Sequence, residues 1–432
     1  MSLVWRDEAG IARARLTIAN GGMNVASIPT TRAACEALDR ADPLAHVRDR
    51  FSLPPGVIYL DGHSLGPATH AALKRVNETA EREWAQGLIR SWNDAGWFDL
   101  PRTVGAKLAW LIGVAGDEVI VTDSVSVNLF KLATAALAIT KSQTIIVEDS
   151  EFPTDQYVAE GIAATTHGAL MRVGADQGAD TLAKTGGVLV KSIVNYRTSL
   201  VSDVAEHERI AARSGGLVVW DLSHATGVID LSLGAHGARL ATGCTYKFLN
   251  GGPGAPAFVY VRGDLASKLR SPISGWFGHV QPFAFVSGYA PTEGAARFAA
   301  GTPGMLSLAA LDASLSAFDG ADMRAVSAKS RALGDLVIAR SKALGLEAIS
   351  PADGAVRGGH VSIRHEEGYA VVQALIVRGV IPDFRAPDAI RFGVSPLFVR
   401  FVDAWDGMDQ LADVLATRVW DRPEFKRRAA VT

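Results

Sequence analysis

Cysteine is almost absent: Cys35 and Cys244 are the only two in 432 residues. That excludes a disulfide framework and fits a reducing cytoplasm, the expected compartment. The ten histidines are scattered, with no His-Glu-x-x-His pattern and no paired cysteines, so no metal site is expected. Long apolar runs are missing as well. The longest, such as 132–139, reach about eight residues, against the ~20 needed to cross a bilayer, so no membrane association is expected. Charge of one sign is not in excess: 43 basic and 45 acidic side chains give a net charge of −2, with no basic block to meet nucleic acid. The opening residues Val4-Trp5-Arg6-Asp7-Glu8 mix acids and bases and show no secretion signal. Neither a Gly-x-Ser-x-Gly elbow nor a phosphate loop ending in Gly-Lys-Ser/Thr is present; Gly251-Gly252-Pro253-Gly254 lacks the lysine.

What is present is a large apolar fraction, 48%, with 20% charged residues, enough for an extensive packed interior divided between two or three domains. From about 60 to 305, short β-branched runs alternate with helical stretches. The runs at 119–122, 144–147, 187–190 and 217–220 read as buried strands, and Ala-rich segments such as 128–139 and 203–213 as the helices between them. Such alternation predicts an α/β domain around a largely parallel sheet, with ligands gathered beyond the carboxyl ends of the strands. A further strand is expected at 257–261. Beyond about 315 a long helical pattern (321–344), a strand near 358–363, a helix near 367–378 and a strand near 389–394 predict a smaller α+β domain.

Polar residues fall at the predicted strand ends. Lys247 lies in Thr245-Tyr246-Lys247-Phe248-Leu249-Asn250 before the Gly-rich turn, and Asp221 ends an apolar strand. A lysine on such a turn can condense with an aldehyde cofactor, and a strand-end Asp can keep a pyridinium nitrogen protonated; together they are the protein parts pyridoxal phosphate chemistry requires. Either residue alone reads more simply as a surface Lys or a turn-capping Asp. Asp123-Ser124-Val125-Ser126-Val127-Asn128 opens a helix and suits a phosphate, or is an ordinary cap. Phe152 can stack on a flat heteroaromatic ring with Asp155 beside it, unless Phe152-Pro153-Thr154-Asp155 is only a turn. Ser192 ends another strand. His224 faces a phosphate or the cofactor, or is a satisfied structural histidine. Tyr246 can reach a phosphate oxygen or carry a proton. Arg391, set among apolar residues in the second domain, fits a substrate carboxylate or an interdomain salt bridge.

With those residues in view, the chain resembles the kynureninase family, pyridoxal-phosphate hydrolases of the aspartate-aminotransferase (fold type I) superfamily. The resemblance runs from about Ile58 to Arg391. It is carried by Tyr59-Leu60-Asp61-Gly62-His63-Ser64-Leu65-Gly66, Phe152-Pro153-Thr154-Asp155, Asp221-Leu222-Ser223-His224-Ala225, Tyr246-Lys247-Phe248-Leu249-Asn250-Gly251-Gly252-Pro253-Gly254 and Gly275-Trp276-Phe277-Gly278-His279. It implies a large domain (65–310) with a mainly parallel seven-stranded sheet flanked by helices, and a smaller α+β domain (311–432). A segment 26–64 would pack on the small domain, after a loose extension (1–25) in which Met23 is an alternative start. It implies pyridoxal 5′-phosphate bound through Lys247 as the Schiff-base lysine, with Asp221 at the ring nitrogen. The phosphate falls to Val125, Ser126 and Tyr246, and Phe152, Pro153, Thr154, Asp155, Ser192 and His224 are further cofactor contacts. Trp276 and Thr302 match positions that reach the cofactor from a partner subunit, so a homodimer is implied. Arg391 matches the clamp for the substrate α-carboxylate. His63 stands where the family string carries Asn, in a loop expected near the substrate, so aryl-ring preference or affinity is expected to differ; Trp84, Trp92 and Trp97 are the candidates for an aromatic wall.

The implied reaction is hydrolytic Cβ–Cγ cleavage of L-kynurenine, or of 3-hydroxykynurenine, to anthranilate or 3-hydroxyanthranilate and L-alanine. It belongs to tryptophan catabolism and feeds NAD biosynthesis. Lys247, Tyr246, Asp221 and Asp155 are the catalytic candidates, Tyr246 first and Asp155 second as the base for water. Alternatives on the same fold are a class V aminotransferase, which would consume a keto acid, and a selenocysteine lyase. A cysteine desulfurase would need a nucleophilic Cys well after the lysine, and none follows Cys244. A cofactor-binding regulator would need an appended DNA-binding module, for which the short extension has no room.

Overall fold

The computed structural model describes residues 16–19, 22–25 and 28–428. Its larger part is built on β1 (Val119–Val121), β2 (Thr144–Glu148), β3 (Ala169–Val173), β4 (Val188–Ser192), β5 (Leu217–Asp221), β6 (Leu240–Gly243) and β7 (Phe258–Val261). These form one seven-stranded sheet in the order β1-β7-β6-β5-β4-β2-β3. Every neighbouring pair from β6 to β3 is parallel, and β7 runs against both β6 and β1. Residues 244–257 between β6 and β7 contain no helix or strand, and the parallel step from β5 to β6 is made by residues 222–239, also without a helix or strand. Helices Val125–Leu137, Pro153–Thr166, Gly178–Thr185 and Val204–Ser214 provide the crossovers from β1 to β5. They cover the sheet on its faces, so β4, β5, β6 and β7 are buried along their whole length, as their near-continuous apolar sequences require. β3 at the edge remains partly exposed and carries Arg172. The helix Val125–Leu137 begins three residues before the Ala-rich run because Ser124 caps it, its hydroxyl accepting from the Val127 amide.

The second part holds β8 (His360–Arg364), β9 (Asp383–Arg385) and β10 (Ala389–Gly393), an antiparallel sheet in the order β8-β10-β9, with helices Met323–Ala343, Gly368–Val377 and Phe401–Thr417. The segment leading into the large sheet is tied to this part. Ile58–Tyr59 pairs in parallel with Val380–Ile381. Helix Arg32–Ala41 supplies Asp39, whose carboxylate accepts from the amides of Phe401 (2.7 Å) and Val402 (3.0 Å) and so closes the amino end of helix Phe401–Thr417. In the region read as a loose extension, Leu16–Ala19 and Gly22–Val25 pair as an antiparallel hairpin, and the rest of it lies outside the described residues. No helix among the described residues is long and apolar enough to cross a membrane.

Because Asp39 satisfies two otherwise orphaned helix amides, Asp39→Ala is expected to lower unfolding free energy by about 1–2 kcal/mol. Urea denaturation should show a lower midpoint with an unchanged slope; an unmoved midpoint contradicts the capping role.

Candidate active site

A cavity of about 600 Å³ opens at the carboxyl ends of β1, β2, β4 and β5, between the large sheet and β9–β10. Lys247 borders it from the irregular stretch after β6. The backbone there is pinned locally: the Asn250 amide donates to the Lys247 carbonyl (2.9 Å) and the Gly251 amide to the Thr245 carbonyl (2.9 Å). From outside, the Gly66 amide donates to the Tyr246 carbonyl at 2.8 Å. The fit leaves no room for a side chain, since a Cβ on Gly66 would lie 2.2 Å from the Lys247 carbonyl oxygen. Lys247 Nζ sits 3.0 Å from His224 Nε2. Burial, then the Lys247 charge, pushes the His224 imidazole well below its usual range, so the ring is neutral and accepts at Nε2. Its buried Nδ1 has no partner among the described groups.

Asp221 ends β5 in register with Ser192 at the end of β4. One carboxylate oxygen accepts from the Ser223 amide (2.8 Å) and hydroxyl (2.5 Å). Burial raises its pKa, against the pull of the Ser223 hydroxyl and Lys247. Asp155, in the first turn of helix Pro153–Thr166, is 1% exposed, and neither of its oxygens has a partner among the described groups. Burial first, then Asp221 and Glu151, holds it well above the usual carboxylate range. Two carboxyl groups thus share one buried site and titrate as a pair, with the proton on Asp155. Behind them Lys191 Nζ bridges Glu148 (2.8 Å) and Glu151 (3.4 Å), and Glu151 accepts from the Ser192 amide (3.1 Å).

At the far end of the cavity, Val125 and Ser126 are the first two residues of helix Val125–Leu137, where amides have no partner inside the helix. Asp123, just before, has left-handed backbone (φ +50°) and is held by the fully buried Lys131 ammonium at 2.6 Å. Phe152 meets Tyr196 edge-on at 5.2 Å and is 41% exposed, leaving a ring face open to the cavity. Thr154 and Ser192 also border it. Pro153 does not; it occupies the first turn of its helix. Thr302 borders this chain's own cavity, whereas Trp276 lies outside it, packed on Phe277 and Trp92. None of Trp84, Trp92 and Trp97 borders it: Trp84 is exposed, Trp92 stacks in that same aromatic cluster, and Trp97 is buried with its indole N–H on Glu83. The aromatic wall expected from them is therefore absent from this cavity.

The opposite wall is cationic. Arg391, on β10, is 1% exposed and gives Nε (2.7 Å) and Nη2 to the two oxygens of Asp383 on the neighbouring β9. The ion pair is thus within one sheet rather than between domains; the interdomain link is Nη1 to the Tyr196 carbonyl. Arg385 approaches Asp383 at 3.0 Å as well, so two guanidinium groups share one carboxylate and leave a positive charge facing the cavity. His63 is fully buried against Asp383 and Asp61. Asp61, His63 and Asp383 lie within metal-ligand distance of one another, but Asp383 is already committed to two arginines, which disfavours a cation there. Sequence reading missed Asp383, Arg385, Tyr196 and His360. Asp383 and Arg385 are two apart and therefore share a face of β9, the one local signal available for them.

The unpartnered Asp155 carboxyl, the open helix start, the stacking face of Phe152 and the paired Asp221 and Lys247 fit a phosphate-bearing heteroaromatic aldehyde. Comparison with known proteins agrees. Kynureninase of Burkholderia mallei is 45% identical over 93% of this chain and 100% of its own length, and that of Pseudomonas fluorescens is 43% identical over the same shares. The chain belongs to the kynureninase family. A family model described as the kynureninase C-terminal domain matches residues 326–411. Among solved structures, a C-DES mutant with glycine covalently linked to its PLP cofactor superposes with a TM-score of 0.74 at 18% identity, covering 85% of this chain and 99% of that one. A cysteine desulfurase from Thermococcus onnurineus gives 0.71 at 18% identity, covering 87% and 97%. At such identity these two show the fold alone.

Asp155 bears on stability. A carboxyl whose pKa is raised on folding contributes stability that is complete below its unfolded value and is lost as pH rises through the folded value. Cofactor-free Asp155→Asn is therefore expected to lose less stability than the parent between pH 5 and pH 9. Urea midpoints at the two pH values check this, and parallel losses would contradict it.

Proposed function

We propose that this member of the kynureninase family hydrolyses the Cβ–Cγ bond of L-kynurenine, using pyridoxal 5′-phosphate held through Lys247. The observation that carries the reading is that Lys247, Asp221 and Arg391 border one cavity in a chain aligned over the full length of proteins named kynureninase. The amides of Val125 and Ser126 would hold the phosphate, Phe152 would cover the ring, and Asp221 would stay ionised against its nitrogen. When bound, the cofactor supplies an aldehyde for amine exchange and a ring that accepts electron density from Cα.

The chain's own groups do the rest. Arg391 binds the substrate α-carboxylate with the positive charge left over from Asp383. Lys247, once displaced by the substrate amine, takes the Cα proton. His224 at 3.0 Å keeps its Nζ in place. The Cys244 thiol and burial hold the Tyr246 phenol well above its usual value, so Tyr246 enters the cycle protonated. Held protonated, it is not the base expected for water: it gives its proton to the γ-carbonyl oxygen and takes one back from the adding water. As the Cβ–Cγ bond breaks, one proton of the resulting diol passes by way of Tyr246 to Cβ, releasing the aryl acid. Asp155 is the second choice for this acid–base role.

The exposed apolar residues Leu88 (60%), Ile89 (77%), Phe283 (61%) and Phe285 (87%) support a homodimer, which would bury them and bring the partner's Trp276 to the site. Size-exclusion chromatography with light scattering is expected to give twice the chain mass; an active monomer would overturn the dimer. Purified protein with pyridoxal phosphate and L-kynurenine is expected to develop anthranilate fluorescence with one alanine per anthranilate, with no keto acid required. Tyr246→Phe should retain the cofactor and lose turnover by about 10²–10⁴-fold. Absence of anthranilate from cofactor-loaded protein sinks the substrate assignment, and near-normal turnover of the variant sinks the role of Tyr246.

A further inference from the structure

Arg391 is heavily committed within its own wall. Its Nε donates to Asp383 Oδ1 at 2.7 Å and its Nη2 to Asp383 Oδ2, a two-point pairing of guanidinium with carboxylate that is close to neutral as a unit. Nη2 also meets Ser64 Oγ at 3.3 Å, and Nη1 donates to the Tyr196 carbonyl. One of the five N–H groups of a guanidinium is left over, on a side chain that is 1% exposed.

Arg385 is placed differently. It follows Asp383 by two residues, so the pleat turns both side chains to one face of β9. β9 is the edge strand of its sheet, and the residue opposite Arg385 on β10 is Ala389, whose methyl group is too short to cap a guanidinium. The Arg385 side chain is 35% exposed and borders the cavity. Its Nη1 donates to the Phe384 carbonyl at 2.9 Å and its Nη2 to Ser64 Oγ at 3.4 Å, while its Nε makes no hydrogen bond with the described residues. Nη2 lies 3.0 Å from Asp383 Oδ2, but that oxygen already accepts from Arg391 and from the Ser64 hydroxyl (2.8 Å). Burial, and then the like charge of Arg391, pulls the Arg385 guanidinium below its ordinary value, the pattern of a cation short of a counter-ion. Asp61, the other carboxyl acting on it, is itself raised to about 7 by burial and then by Asp383, and so offsets only part of the charge.

We propose that Arg385 is a second binding residue for the substrate α-carboxylate: it carries the surplus positive charge of this wall and donates to one carboxylate oxygen, while the N–H that Arg391 has left donates to the other. The two guanidinium groups converge on Asp383 Oδ2, which brings them close enough for one carboxylate to meet both. The proposal rests on the reading of Arg391 as the clamp and divides the work. Arg391, fixed by Asp383 and the Tyr196 carbonyl, sets the direction of the carboxylate, and Arg385 supplies the charge that selects an amino acid over the corresponding amide.

The test uses cofactor-loaded protein and two probes of nearly equal size, L-alanine and L-alaninamide, with the visible absorbance of the cofactor as the binding signal. Both offer an α-amine and only the first a carboxylate, so a change in the ratio of their affinities between parent and variant reads charge recognition. Arg385→Gln is expected to weaken L-alanine at least about 10-fold, the worth of a hydrogen bond between charged groups, and to leave L-alaninamide unchanged. The KM for L-kynurenine should rise in step, while kcat falls less. Arg385→Lys, which keeps the charge without the planar fork, should recover part of the ratio. An unchanged ratio in Arg385→Gln overturns the proposal, whether neither probe is weakened or both are weakened equally, as damage to the wall would do. If Arg385→Gln does not load cofactor, Arg385→Met, which keeps an apolar stem without the charge, makes the same comparison. Arg391→Lys separates the two readings. If neither Arg391→Lys nor Arg385→Gln moves the ratio, the clamp falls and this proposal with it, whereas a ratio moved by Arg391→Lys alone removes only Arg385. A parent that binds L-alanine but forms no anthranilate refutes the substrate, and the ratio in Arg385→Gln still decides the proposal.

Discussion

The short segment from Ile58 to Gly66 hydrogen-bonds to both parts of the molecule, and the site depends on it. Its first residues pair with Val380–Ile381, and the Leu60 carbonyl accepts from the Gly393 amide at the end of β10. Six residues later the Gly66 amide reaches the Tyr246 carbonyl beside Lys247. Backbone bonds of this kind leave little slack, because each end is fixed by a strand or by a glycine with no room for a side chain. The segment therefore sets where the Arg391 wall stands relative to the Lys247 wall. In the proposed reading, a substrate whose carboxylate meets one wall and whose adjacent amine meets the other needs that spacing fixed before any chemistry begins.

Buried charges next to the cavity at Asp123, Glu148 and Glu151 have their counter-ions behind them. Lys131 stabilises Asp123 in a left-handed turn, which aims the start of helix Val125–Leu137 at the cavity. Lys191 satisfies Glu148 and Glu151, and Glu151 in turn fixes the end of β4 through the Ser192 amide. Breaking one member of such a pair costs far more than the pair contributes, so these groups act as scaffolding for the loops. Asp155 is the exception. It is buried with no partner, a state that is costly unless the site is completed by a ligand that hydrogen-bonds it.

Much of this was legible from local pattern. β-branched runs ended by polar residues located the sheet and the strand ends facing the cavity, because a parallel sheet buried on both faces leaves few other readings. Asp221 and Ser192 are such ends and Phe152 follows one, whereas Lys247 follows β6, a strand that like β3 was not read from the sequence, and was picked out by the Gly-rich turn after it. Tyr196 and His360 were not legible, since each matters through contacts with residues far away in the chain, and although Asp383 is only eight residues from Arg391, alternation along β9 gives no hint that its acid meets an arginine of β10. The three tryptophans lie off this cavity for a related reason. An aromatic residue in a half-buried helix marks packing, and whether it faces a cavity is decided by tertiary contacts such as that between Trp92 and Trp276.

The solved structures that superpose on this chain include cysteine desulfurases, yet the fold does not bring their chemistry with it. A thiol nucleophile must be ionised, accessible and able to reach the substrate. Cys244 borders the cavity, but it is 4% exposed, burial raises its pKa, and its sulfur lies 3.7 Å from the Ser223 carbonyl in a rigid turn. Cys35 is fully buried in helix Arg32–Ala41, outside the cavity lining. Neither can attack sulfur on a substrate. The position beside Lys247 that the proposed chemistry uses is Tyr246, a proton donor suited to a carbonyl substrate. In the proposed mechanism the same sheet and the same lysine turn serve carbon–carbon hydrolysis because the group next to the lysine is a phenol held protonated, and the thiol beside it is held inert.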